Sequence, residues 1–98
     1  MELLPKDIVE RLPKLGATAD QHDPLVLVKF FFPDCDWTWY GIEFDGTDIF
    51  YGLVDGFERE LGQFSLKELT TTWLPNPVER DVYFKPLRLS ELNALLDG

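Results

Sequence analysis

Residues 37–54 read Trp-Thr-Trp-Tyr-Gly-Ile-Glu-Phe-Asp-Gly-Thr-Asp-Ile-Phe-Tyr-Gly-Leu-Val. Two runs rich in β-branched and aromatic residues flank Asp45-Gly46, a dipeptide suited to the positive backbone angles of a tight turn. The stretch predicts a β-hairpin with strands over 37–44 and 47–54. A two-residue turn would set the register: Phe44 faces Thr47, Glu43 faces Asp48, Ile42 faces Ile49, Gly41 faces Phe50, Tyr40 faces Tyr51 and Trp39 faces Gly52. One face then pairs Ile with Ile and Tyr with Tyr, contacts contributing ~0.2–1 kcal/mol each. The other sets each glycine under an aromatic ring. Glu43 beside Asp48 is the unfavourable pair, and it asks for solvent or a positive partner.

Upstream, the apolar run Leu25 to Phe32, bounded by Pro24 and Pro33, predicts a central strand. Leu4, Ile8 and Leu12 recur every fourth residue, which predicts a short helix closed by Pro13. Downstream, residues 57–64 read as a turn and a short strand. Ser65 and Glu68 have capping-box spacing for a helix over 66–72. Residues 80–84 alternate as a further strand, and Ser90 is placed to cap a last helix over 91–96. Together these elements predict an α+β fold: an antiparallel sheet of about four or five strands built around the central hairpin, with short flanking helices.

A chain of 98 residues, 45% of them hydrophobic, fits a single domain over 1–98. One cysteine, Cys35, allows no internal disulfide. No apolar run is long enough for a membrane span, and the stretch from Met1 to Lys14 lacks the pattern of a signal peptide. A soluble protein of the reducing cytoplasm is expected.

The net charge of −9 is unevenly spread. From Asp20 to Glu60 there are ten acids against two bases, Lys29 and Arg59, so that segment holds −8 of the total. Such an acidic face excludes direct binding to a phosphate backbone, which needs a basic footprint. It favours a basic protein surface.

No catalytic constellation stands out. His22 is the one histidine, and a zinc quartet or a Cys-His pair with an orienting group cannot be built from it and Cys35. The neighbouring Asp34 and Asp36 disfavour a Cys35 thiolate, which suggests a packing role for that side chain. The acids match no calcium loop. No cofactor, metal or catalytic residue is expected. The binding candidates are Asp34, Asp36, Glu43, Asp45, Asp48 and Asp55, to steer and pair with Lys or Arg, and Trp37 and Trp39, to anchor the contact. An aromatic face of Trp37, Trp39 and Phe50 with Phe30 or Phe32 reads first as core. If helices leave it uncovered it becomes an interface, homodimer included.

The blocks Val28-Lys29-Phe30-Phe31, Trp37-Thr38-Trp39-Tyr40, Glu43-Phe44-Asp45-Gly46, Phe50-Tyr51-Gly52-Leu53-Val54, Glu60-Leu61-Gly62, Phe64-Ser65-Leu66 and Glu79-Arg80-Asp81 occur in that order. Over Leu4 to Pro86 they resemble a family of small uncharacterised acidic bacterial proteins, a domain of unknown function found mainly on plasmids and integrative mobile elements. The resemblance implies a mobile-element setting but carries no activity and no catalytic residues. In that setting, small acidic proteins often occupy the nucleic-acid-binding surfaces of host defence nucleases. The expectation is therefore a non-enzymatic protein whose acidic face engages a basic, nucleic-acid-binding partner in an anti-CRISPR or anti-restriction, DNA-mimic-like role. The rivals are an accessory or scaffolding protein of conjugation or plasmid maintenance, and a divalent-metal-dependent enzyme.

Overall fold

The hairpin forms, but around a longer turn than two residues. In the computed structural model, which describes residues 2–71 and 77–98, β3 (Thr38–Phe44) and β4 (Ile49–Asp55) are antiparallel, with Phe44 opposite Phe50 and Gly41 opposite Gly52. The Asp45 carboxylate sets the turn length. One of its oxygens accepts hydrogen bonds from the backbone N–H groups of Thr47, Asp48 and Ile49 at 2.8, 2.7 and 3.1 Å. An aspartate that binds the backbone ahead of it closes a turn by itself.

Packing explains why this register wins. Phe44, Phe50 and Phe64 form a ladder across three strands, with ring centroids 4.3 and 5.0 Å apart. Phe30 meets Phe50 edge-on at 5.4 Å. Such contacts contribute ~0.5–1.5 kcal/mol each beyond area burial, and a two-residue turn would leave Phe44 against Thr47. The glycines face each other rather than aromatic rings, although the Phe50 ring still lies against Gly41.

The register also shifts between Gly41 and Glu43, where Ile42 is an extra residue on β3. A bulge of this type breaks strict alternation. Here it turns Ile42 and Glu43 to one side of the sheet and returns Phe44 to the other.

The fold is α+β, a five-stranded antiparallel sheet with short helices. Its order is β5 (Arg59–Ser65), β4, β3, β2 (Val28–Phe31) and β6 (Glu79–Arg80). The predicted strand Leu25 to Phe32 divides at Leu27. β1 (Leu25–Val26) leaves the main sheet to pair with β7 (Leu87–Arg88). The alternating stretch 80–84 contributes only its first residue to β6 before the chain turns.

One face of the sheet buries Val28, Phe30, Trp39, Phe44, Phe50 and Phe64 under Ile8 and Leu12, contributed by α1 (Lys6–Arg11) and its C-cap, and Leu69 of α2 (Leu66–Thr71). The aromatic face is thus core at Trp39, Phe30 and Phe50. The other face packs Val26, Tyr40, Ile42 and Leu53 against Leu92 of α3 (Leu89–Asp97).

The two later helices are capped by distant acids. Ser65 caps α2 as its spacing predicts, accepting from the Glu68 N–H at 3.2 Å, and its own hydroxyl donates to Asp48 at 2.8 Å. Asp48 also accepts from the Lys67 N–H at 2.7 Å. At α3 the capping group is Asp23 rather than Ser90: both the N–H and the hydroxyl of Ser90 donate to its carboxylate, at 2.9 and 2.6 Å.

Gly52 leaves no room for a side chain: a Cβ there would stand 1.8 Å from the Tyr40 carbonyl oxygen. Gly52→Ala is expected to destabilise the fold by ~1–3 kcal/mol or more, measured by urea unfolding. Asp23→Ala should lower the unfolding midpoint in the same assay through the lost cap.

Candidate functional site

Glu43 is buried, with 4% of its surface accessible. A buried carboxylate needs donors, and the bulge delivers it to three. The N–H groups of Gly16 and Thr18 donate to it at 2.8 Å each, and the Thr18 hydroxyl donates as well. Gly16 has φ +86°, a backbone region that glycine enters without strain, and this local shape turns its N–H onto the carboxylate. Burial pushes the Glu43 pKa up, but the bonds from Thr18 and Gly16 outweigh it and hold the carboxyl below its usual range. The result is a strap: residues 14–24 lie across the α3 face of the sheet, tied to β3. Beneath the strap a cleft of about 520 Å³ opens between Leu15, Ile42, Tyr51, Leu61, Gln63 and Leu89, with the exposed His22 at its rim.

The opposite end of the hairpin has a different character. Thr38 pairs with Asp55, so the β2–β3 loop and the β4–β5 turn emerge side by side. Trp37 lies over Gly56, where a Cβ would meet the indole at 2.5 Å. Phe57 stands against the Trp37 ring at 5.2 Å and 84° while remaining 93% exposed. Glu58 and Glu60 are exposed beside these rings, Asp34 and Asp36 are exposed in the β2–β3 loop, and half-buried Asp55 pairs with Arg59. A second cleft, of about 550 Å³, runs between Trp37, Val54, Phe57, Glu58 and Glu60. An aromatic anchor beside two carboxylates suits the docking of a cationic surface.

The family model described as "Protein of unknown function (DUF2958)" matches residues 3–95. The chain belongs to this family. Neither a curated protein nor a solved structure gave a match.

The geometry divides the sequence-derived candidates into two groups. Asp34, Asp36, Trp37 and Asp55 lie at the open end of the hairpin, where Asp55 pairs with Arg59 on the face away from Trp37. Glu43, Asp45 and Asp48 lie at the turn end, each holding backbone or side-chain donors of the fold itself. Glu43 does not face Asp48: it lies opposite Tyr51, and the repulsion expected between the two acids is absent. Trp39 is buried in the core. Cys35 is exposed in the β2–β3 loop rather than packed. Among the described residues, no three His, Cys, Asp or Glu side chains converge as a metal site would require.

Sequence reasoning missed Phe57, Glu58 and Glu60. The available signal was Asp55-Gly56, a second turn dipeptide, followed directly by a phenylalanine between acids. An aromatic residue in a turn has no strand face on which to hide.

The folded-state pKa of Glu43 lies below its unfolded value near 4.5. Its stabilising contribution is therefore complete above that value and is lost as pH falls through the folded one. Glu43→Gln should cost ~1–3 kcal/mol at neutral pH. The difference from the parent should shrink on acidification, as read by urea unfolding across the acid range.

Proposed function

We propose that this protein is a non-enzymatic binding protein whose open hairpin end docks on a basic protein surface, one that ordinarily holds nucleic acid. A host defence protein such as a CRISPR effector or restriction nuclease is the partner class proposed, and its inhibition the outcome. The observation that carries this reading is Phe57: a phenylalanine 93% exposed, supported edge-on by Trp37 and lining one cleft with Glu58 and Glu60. Solvent alone gives no reason to hold such a ring in place. Anchors of this type contribute most of the affinity at protein interfaces, while surrounding charge governs encounter rate and partner choice.

Support also comes from the distribution of charge. Asp23, Glu43, Asp45 and Asp48 are engaged within the fold. At the open end Asp34, Asp36, Glu58 and Glu60 are exposed, where their potential reaches a partner. A groove lined with Lys and Arg to hold phosphates presents the complementary field.

The test is affinity capture from a bacterial lysate, followed by elution with duplex DNA. A nucleic-acid-handling protein should be retained at low salt and released by DNA or by moderate salt. Phe57→Ala, or the pair Glu58→Lys and Glu60→Lys, should lower retention at least about tenfold without changing the unfolding midpoint. Reversing Asp45 or Asp48 would instead disturb the turn and the α2 cap. Recovery of no nucleic-acid-handling protein, or a complex indifferent to salt, would contradict the reading.

A further inference from the structure

The main sheet has two unequal edges. At one, β6 covers β2 over only two residue pairs. At the other, β5 presents seven residues, Arg59–Ser65, and among the described residues no strand pairs with its outer side. A long open edge is a template for another strand unless it is blunted or covered. The phase of its free groups follows from one bond. The Leu66 N–H donates to the Asp48 carbonyl at 2.8 Å, and inward and outward bonding alternate along an antiparallel strand. Glu60, Gly62 and Phe64 therefore bond to β4, while Arg59, Leu61 and Gln63 turn their N–H and C=O groups outward. These three are exposed, while Ser65, the next in phase, is half-buried at the start of α2.

Clefts flank this edge on both faces. On the α3 side, Leu61 and Gln63 form the margin of the cleft lined by Ile42, Tyr51 and Leu89. On the α1 side, Glu60 and Gly62 border the cleft lined by Trp37, Val54, Phe57 and Glu58. A strand laid along β5 would send successive side chains alternately to the two faces. The first cleft offers Leu61, Ile42 and Leu89 as apolar walls beside Tyr51 and Gln63. The second offers two carboxylates and two aromatic rings, which favour a cation.

We infer that β5 is the docking edge for an extended segment of a partner protein in which Lys or Arg alternates with apolar residues. The segment joins as a sixth strand of the main sheet, with apolar side chains at the Leu61 cleft and basic ones between Phe57 and Glu60. Main-chain bonds to Leu61 and Gln63 hold it, and the two clefts select its side chains. This inference rests on the proposed docking end and specifies what that end recognises. A second copy of the chain is a poorer occupant, since each carries −9 and its own β5 would bring Glu60 where the site takes a base.

The test uses a synthetic peptide of alternating Arg and Val, titrated into the intact protein at low salt. Two further versions carry N-methyl groups on alternate residues, in one phase or the other. Methylation of the edge that faces β5 should abolish binding, and methylation of the outer edge should leave it. On the protein side, Gln63→Pro removes an outward N–H that makes no bond within the sheet, a position where an edge strand tolerates proline. It should lower affinity at least about tenfold with the unfolding midpoint retained. Equal binding of the two methylated peptides, unchanged binding by a folded Gln63→Pro protein, or no binding at millimolar peptide would each overturn strand addition. Should Gln63→Pro fail to fold, the methylated pair decides on the parent protein. If binding ignores the methyl phase yet is lost in the Glu58→Lys, Glu60→Lys protein, the docking end stands and strand addition falls. If neither change matters, both fall.

Discussion

A buried carboxylate tied to three donors organises one side of this molecule. Glu43 reaches that position only because β3 carries an extra residue at Ile42, so that two successive side chains face the same way. Once there, it must be satisfied, and the chain segment beginning at Gly16 supplies the donors. The strap that results forms the wall of the α3-side cleft. It then leads through Asp23, the cap of α3, into β1. Loss of the carboxylate would release donors and strap together, and with them the cleft beside the β5 edge.

The same constraint separates the acids by role. An acidic segment in a sequence looks like one patch, yet the fold divides it along the hairpin axis. At the turn end, Asp45 and Asp48 substitute for missing backbone partners, closing a turn and capping α2. Backbone N–H groups hold the Asp45 carboxyl below its ordinary pKa, those of Asp48 and Thr47 acting most strongly. At the other end Glu58 and Glu60 line a cleft with Trp37 and Phe57, and the strand that leaves that turn is, among the described residues, the open edge of the sheet. Charge, aromatic surface and unpaired backbone therefore coincide at one corner of the molecule.

Much of the fold was legible because it depends on local chemistry. Asp45-Gly46 marked the hairpin, the fourfold recurrence of Leu4, Ile8 and Leu12 marked α1, and Ser65 with Glu68 marked α2. The register was not legible. It depends on Asp45 binding three N–H groups at once and on a ladder from Phe44 to Phe64, a partner twenty residues away in sequence. The candidate site was half legible for the same reason. Asp34, Asp36, Trp37 and Asp55 adjoin a turn or loop visible in the sequence. The structural duty of Glu43 lies with donors 27 and 25 residues distant, and that of Asp23 with a serine 67 residues away. No spacing rule connects such pairs before the chain has folded.

The division of the acids is the central claim, and mapping by amide chemical shifts tests it most directly. An isotope-labelled sample titrated with a short basic polypeptide at low salt should show changes clustered at residues 34–37 and 55–63, with 43–48 nearly still. Changes centred on 43–48, or spread evenly over every acid, would contradict it.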